Sequence, residues 1–100
     1  MARLVWTQES RWWLREIYSF IARDSQEADR RVVRGIYDRA HLLVEFPEMG
    51  YSYRRRADRR VRVFLYGRYR IVYEHSQDGN IYVLGVFHGA LDLKRHLRLK

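Results

Sequence analysis

No cysteine occurs among the 100 residues, which excludes disulfide frameworks and thiolate metal sites together and permits a reducing, cytoplasmic setting. One proline and six glycines leave no linker or low-complexity segment, and no internal repeat is present. No apolar run approaches the ~20 residues that a membrane helix needs, and the stretch from Met1 to Trp6 is too short for a secretory signal. A soluble, cytoplasmic protein without membrane partners is the expectation. Histidine is sparse and scattered: His41, His75, His88 and His96 lack metal-ligand spacing, and no HExxH, CxxC or carboxylate cluster accompanies them. Neither a metal nor a cofactor is expected. What is present is a chain with 47% hydrophobic and 15% aromatic residues, enough to fill one core and too apolar for disorder. Its length fits a single domain over residues 1–100, with a net stability of roughly 5–15 kcal/mol.

Acidic residues are unevenly short. Residues 1–50 carry eight Arg against eight Asp and Glu, whereas residues 51–100 carry twelve Arg and Lys against four acids, so the entire +8 lies in the second half. Within it, Tyr53 to Tyr73 reads YRRRADRRVRVFLYGRYRIVY and places eight arginines in strand-forming sequence. Charge segregated in this way raises affinity and encounter rate toward phosphate-rich partners. Eighteen of the twenty basic residues are Arg, a residue suited to planar, bidentate phosphate contacts, although a GC-rich genome would also favour it over Lys.

The apolar period divides the chain in two. Arg3 to Trp6 is a short strand candidate, and Thr7 is placed to cap a first helix with Glu9 in its first turn. Trp13, Leu14, Ile17, Tyr18 and Ile21 recur at helical spacing as far as Asp24. Asp24 or Ser25 offers a second cap, with Glu27 completing a capping box, before Ala28, Val32, Ile36, Ala40 and Leu43 form another stripe. F46-P-E-M-G50 ends that helix. Beyond it the period becomes 2: strands are predicted from Val61 to Tyr66, from Tyr69 to Glu74 after a turn at Gly67, and from Ile81 to Phe87 after Asp78-Gly79. A short helix or tail follows from Leu91. The order predicts an α+β fold, with a short N-terminal strand, a two-helix antiparallel hairpin on one face of a small, mostly antiparallel sheet, and a short C-terminal helix or tail.

With Val61, Val63 and Leu65 facing the helices, Arg60, Arg62, Phe64 and Tyr66 would line the opposite face. Aromatic rings beside arginines can stack on unpaired bases while the guanidinium groups hold the backbone; Tyr and Phe are equally good strand residues, and Arg equally a solvated strand surface. His88, following an apolar strand and preceding Gly89, could transfer a proton in RNA cleavage or be a structural histidine bonded to backbone. Glu74, Tyr73 and Tyr69 are further proton-transfer candidates, but tyrosine titrates near 10 and Glu74 could simply pair with an arginine. Arginine stays protonated and can act only by stabilising charge. Trp12 and Trp13 are adjacent on the first helix, so both cannot enter one core stripe; the outward one is a packing residue or a partner anchor.

W6-T-Q-E-S at the first helix start, I21-A-R-D-S at the helix junction, F46-P-E-M-G, Y69-R-I-V-Y and V86-F-H-G-A-L-D appear in an order that resembles RelE/ParE toxins over nearly the whole chain. The resemblance implies the toxin of a type II toxin–antitoxin pair, neutralised by a cognate antitoxin in a hetero-oligomer. The family divides by target. RelE-like members cut messenger RNA on the ribosome, and ParE-like members poison DNA gyrase. For a nuclease, the resemblance carries a transition-state arginine onto Arg70, backbone-binding residues onto Arg60 and Arg62, and proton transfer onto His88; the expected catalytic set is then Arg70, His88 and Arg62, and the strand aromatics Phe64, Tyr66 and Tyr73 join Arg60 and Arg62 as expected target contacts. Trp12 and Trp13 become antitoxin contacts. RelE's near-terminal tyrosine has no counterpart after Leu91, and the I-A-R-D junction, the long helical hairpin and the H-G-A-L-D ending resemble ParE more closely. A non-enzymatic basic module that binds nucleic acid, with steep salt dependence and no growth arrest, is the alternative of another class.

Overall fold

Thr7 begins the first helix as its sequence predicts. Its Oγ1 accepts the Ser10 N–H at 3.2 Å and donates to the Val83 carbonyl at 2.6 Å, so one hydroxyl caps the helix and ties it to a strand 76 residues on. Ser10 completes the cap by donating its Oγ to the Thr7 carbonyl and is fully buried. The computed structural model describes residues 2–22, 26–56, 59–89 and 93–97. The proposed helix-junction caps at Asp24, Ser25 and the Glu27 side chain lie outside the described residues, as does the proposed start of the terminal helix at Leu91.

The elements are β1 (Leu4–Trp6), α1 (Gln8–Ala22), α2 (Gln26–Glu45), β2 (Tyr51–Arg56), β3 (Arg59–Tyr66), β4 (Tyr69–His75), β5 (Ile81–His88) and α3 (Leu93–His96). The strands form one sheet in the order β1-β5-β4-β3-β2, antiparallel except for the parallel β1–β5 pair. β2 is an addition to the three C-terminal strands read from the sequence. Its arginine run masks the strand propensity of Tyr51 and Tyr53, and its pairing with β3, interrupted by a register shift between Ser52 and Arg54, supplies the hydrogen bonds that make it a strand. The turns at Gly67 and Gly79 stand as expected, both glycines adopting positive φ (55° and 88°).

Ile17 of α1, with Ile36 and Leu43 of α2, packs against Phe64, Ile71, Tyr73, Ile81, Val83 and Val86 on one sheet face. Tyr18, placed in the apolar stripe by spacing, is instead 42% exposed. The switch from odd to even positions along β5 comes from a bulge: Tyr73 pairs with Val83 but Val72 with Gly85, so Leu84 is the extra residue and the alternation changes phase. A second cluster of Val61, Val63, Val72, Phe87 and Leu93, joined by Trp13, Tyr53, Leu84 and Leu97, covers the other face.

That second cluster reverses the expected facing of β3. Phe64 and Tyr66 point to the helices, and Val61 and Val63 away from them. Phe64 is 7% exposed beneath the Arg39 guanidinium, 4.7 Å from its ring centroid, and a Cβ on Gly35 of α2 would meet the Tyr66 hydroxyl. Leu65, expected to be inward, is half exposed. Period-2 alternation separates two faces without labelling them, and C-terminal residues Leu93 and Leu97 bury the valines that the helices do not.

Candidate functional site

The loop between α2 and β2 is held by two of the residues singled out by sequence. Tyr73, fully buried on β4, donates its hydroxyl to the Pro47 carbonyl at 2.7 Å and accepts the Gly50 N–H at 3.0 Å. Arg62, directly opposite Tyr73 across the β3–β4 ladder, donates Nη1 to the Gly50 carbonyl at 2.7 Å and more weakly to that of Glu48 at 3.4 Å. Glycine is required at position 50, where a Cβ would lie 2.6 Å from the Val63 carbonyl oxygen and 2.9 Å from the Tyr73 ring. Burial holds the Tyr73 phenol above its ordinary pKa, partly offset by the Gly50 N–H and the nearby Arg62 charge. It is a clamp on the F46-P-E-M-G50 loop.

Arg70 and His88 meet through the backbone. Tyr69 pairs directly with His88 across β4–β5, and their rings pack edge to face at 5.6 Å, which puts the imidazole on the helix-bearing face. Arg70, one residue along β4, projects to the other face between Leu65 and Phe87, and its Nη2 donates to the His88 carbonyl oxygen at 3.4 Å. Arg62 lies four residues from the Tyr66–Tyr69–His88 row, about 13 Å along the strand direction. Of the expected catalytic set, Arg70 and His88 thus leave their strands on opposite faces of the sheet, with Arg62 further along β3. Tyr69 is also held above its ordinary pKa, by burial, against the opposing charge of Arg68. Glu74 is occupied by Arg59 in a two-point pair, Nε to Oε2 at 3.1 Å and Nη2 to Oε1 at 2.8 Å.

Of the expected target-binding residues, Phe64 and Tyr73 are buried and present no ring to a partner. Tyr66 is half-buried against α2, and Arg60 is half-buried and pairs with Arg55 in the β2–β3 ladder. The open aromatic face expected on β3 is thus part of the helix–sheet core, because ring burial outweighs the solvation of a strand surface. The side chains of Arg54, Arg55 and Arg56 lie outside the described residues.

Trp12 and Trp13 divide as expected. Trp13 packs on Phe87 at 4.8 Å, whereas Trp12 is 47% exposed and stands edge-on to Trp13. Two clefts escaped sequence reasoning, since each is assembled from distant segments. One, of about 450 Å³, is lined by Glu9, Trp12, Trp13, Arg95 and His96. The other, of about 450 Å³, runs beside the edge strand β1 between Arg3, Trp6, Arg11, His41 and Val44. There Trp6 stacks on Tyr37 at 5.7 Å, and among the described residues its buried Nε1 has no hydrogen-bond partner. No helix among the described residues is long and apolar enough to cross a membrane.

Comparison with known proteins follows the same outline. Residues 4–93 match the family described as the ParE toxin of the type II toxin–antitoxin system parDE. No curated protein matches the sequence. The fold is similar to a chain of the chromosomal ParDE system from P. aeruginosa, with a TM-score of 0.69 and 17% identity over 88% of this chain and 96% of that one. It is also similar to a chain of the toxin–antitoxin complex RelBE2 from Mycobacterium tuberculosis, with a TM-score of 0.63 and 20% identity over 87% of this chain and 96% of that one. At these identities the likeness to the solved structures is one of fold.

Proposed function

This chain belongs to the ParE toxin family and is the toxin component of a type II toxin–antitoxin pair, and on that premise we propose that it arrests growth by acting on DNA gyrase rather than by cutting messenger RNA. The observation that carries this reading is the dispersal of the nuclease set. Arg62 is engaged with the Gly50 carbonyl, and Arg70 and His88 project from opposite faces of the sheet. General acid–base cleavage needs donor and acceptor within hydrogen-bond reach of the same substrate atoms. Tyr69 and Tyr73, with raised pKa values, are poorer bases still at neutral pH. The ParE-like helix junction and chain ending support the same choice.

Neutralisation falls to a cognate antitoxin, a reading supported by the fold shared with chains of a ParDE system and of a RelBE2 toxin–antitoxin complex. It adds a strand to the edge of β1, whose outer backbone groups lie beside Arg3 and Arg11, and it covers Trp12. An acidic segment suits both the flanking arginines and the +8 net charge.

Two parallel reactions test the choice of target. In gyrase-driven supercoiling of relaxed plasmid, the free toxin should block supercoiling or trap cleaved DNA. In reconstituted translation followed by primer extension, message ends should be unchanged with or without ribosomes. Cuts that appear only with ribosomes would overturn the proposal and return Arg60, Arg62, Arg70 and His88 to an active site. His88→Ala should retain gyrase inhibition within about threefold, against the ~10² loss expected of a proton-transfer residue.

A further inference from the structure

The cleft between α1 and α3 has the features of a small-molecule site, independent of the gyrase reading. Trp13 lines it and packs on Phe87, which is 1% exposed and 4.8 Å away between ring centroids. Trp12 and His96 both stand nearly perpendicular to the Trp13 ring, at 84° and with centroids 4.8 and 5.6 Å from it. Among the described residues, the three rings line a space of about 450 Å³ together with one carboxylate, Glu9, and one guanidinium, Arg95. That volume falls within the ~300–1,000 Å³ typical of small-molecule sites.

The polar pair narrows the chemistry. A purely apolar occupant would remove Glu9 and Arg95 from water without replacing their hydrogen bonds, and a compact polyanion would meet the Glu9 charge. An occupant with a flat ring, a hydrogen-bond donor edge and a separate anionic group satisfies all five residues. We propose that the cleft binds a guanine nucleotide: the base against the Trp and His rings, its donor edge on Glu9 and its phosphate on Arg95. Aromatic side chains stack on bases whose faces are unpaired, and a planar guanidinium suits phosphate. Guanine is the base that fits the carboxylate, because its ring N–H and exocyclic amine are adjacent donors for two carboxylate oxygens. Adenine and cytosine place a ring acceptor beside the amine, which Glu9 would repel. Exposed Trp12 is the wall of the mouth, so an antitoxin seated on it would also close this site.

A free nucleotide and a guanine within a single strand share this chemistry, and calorimetric titration of the full chain separates them. The titrants are GMP, AMP, ribose 5-phosphate, and five-nucleotide RNAs with and without one guanine. GMP and the guanine-bearing RNA should bind saturably, GMP at least about tenfold more tightly than AMP or ribose 5-phosphate. Trp12→Ala and Glu9→Gln should each weaken GMP binding about tenfold or more, with Trp12→Phe recovering most of the loss and circular dichroism unchanged. Both substitutions lie at exposed positions, and Arg95→Glu offers a third exposed variant on another element. Guanine-bearing RNA binding tenfold more tightly than GMP would assign the site to a strand, and equal binding to the mononucleotide; either supports the proposal. Absence of saturable GMP and RNA binding to millimolar concentration, AMP binding equal to GMP, or full affinity in folded Trp12→Ala would overturn it.

Discussion

Replacing Tyr73 with phenylalanine deletes one oxygen atom while leaving the ring in the core, and that oxygen serves two backbone groups at once. Gly50 N–H donates to it at 3.0 Å in a buried setting, and it donates to the Pro47 carbonyl at 2.7 Å in a part-buried one. A stranded buried donor costs about 1–3 kcal/mol, and the more accessible Pro47 oxygen, which water can reach, adds a cost near the low end of the same ~1–3 kcal/mol range. The expected loss is therefore about 2–4 kcal/mol, a large part of the ~5–15 kcal/mol available to such a domain. At ~4–8 °C per kcal/mol, Tm should fall by about 8–32 °C in calorimetry or thermal circular dichroism. Arg62→Ala acts on the same loop through the Gly50 carbonyl, so the double variant should be less destabilised than the sum of the single variants, by about 0.5–3 kcal/mol. The pH dependence has a definite sign. The folded-state pKa of Tyr73 lies above its unfolded value of 10.0, so unfolding releases a proton between the two; the phenol's contribution is whole below pH 10 and is lost as pH rises toward the folded pKa. Tyr73→Phe should accordingly show a shallower loss of stability above pH 10 than the parent. A Tyr73→Phe protein within 0.5 kcal/mol of the parent in urea unfolding would refute the clamp.

Other substitutions separate surface roles from packing roles. Glu74→Gln keeps the side-chain shape but removes the charge facing Arg59 in a two-point, largely buried pair; it should cost about 1–2 kcal/mol in urea unfolding, with a loss under 0.3 kcal/mol marking the pair as neutral. Trp13→Ala should destabilise by about 2–4 kcal/mol because it uncovers Phe87. Trp12→Ala should cost under about 1 kcal/mol, yet weaken antitoxin binding at least tenfold in titration calorimetry, and unchanged affinity would move the antitoxin contact away from α1.

Much of the architecture is written in local pattern. Thr7, Gly67 and Asp78-Gly79 act where the sequence places them, since caps and turns depend on a few neighbouring atoms. The stripe of Val32, Ile36, Ala40 and Leu43 faces the core because helical spacing alone puts those residues on one side. β2 escaped because its evidence is in β3: a run of arginines becomes a strand only when a partner supplies the ladder. The Arg62–Tyr73 clamp escaped for the same reason. The pattern presents both residues as reagents rather than as anchors, and nothing in a one-dimensional pattern brings Tyr73 to a loop 23 residues earlier.

Composition and periodicity are sufficient for the α+β class, the basic second half and the helical hairpin, because each is a property of neighbours along the chain, while the family resemblance rests on short motifs in a fixed order. Which face of β3 is covered by helices, where β5 changes phase, whether Arg70 and His88 share a face, and that Glu9, Trp12, Trp13, Arg95 and His96 enclose one cleft are decided by the fold. Alternation fixes that odd and even residues part company; only packing against other elements decides which of the two sets is buried beneath the helices and which meets the C-terminal segment.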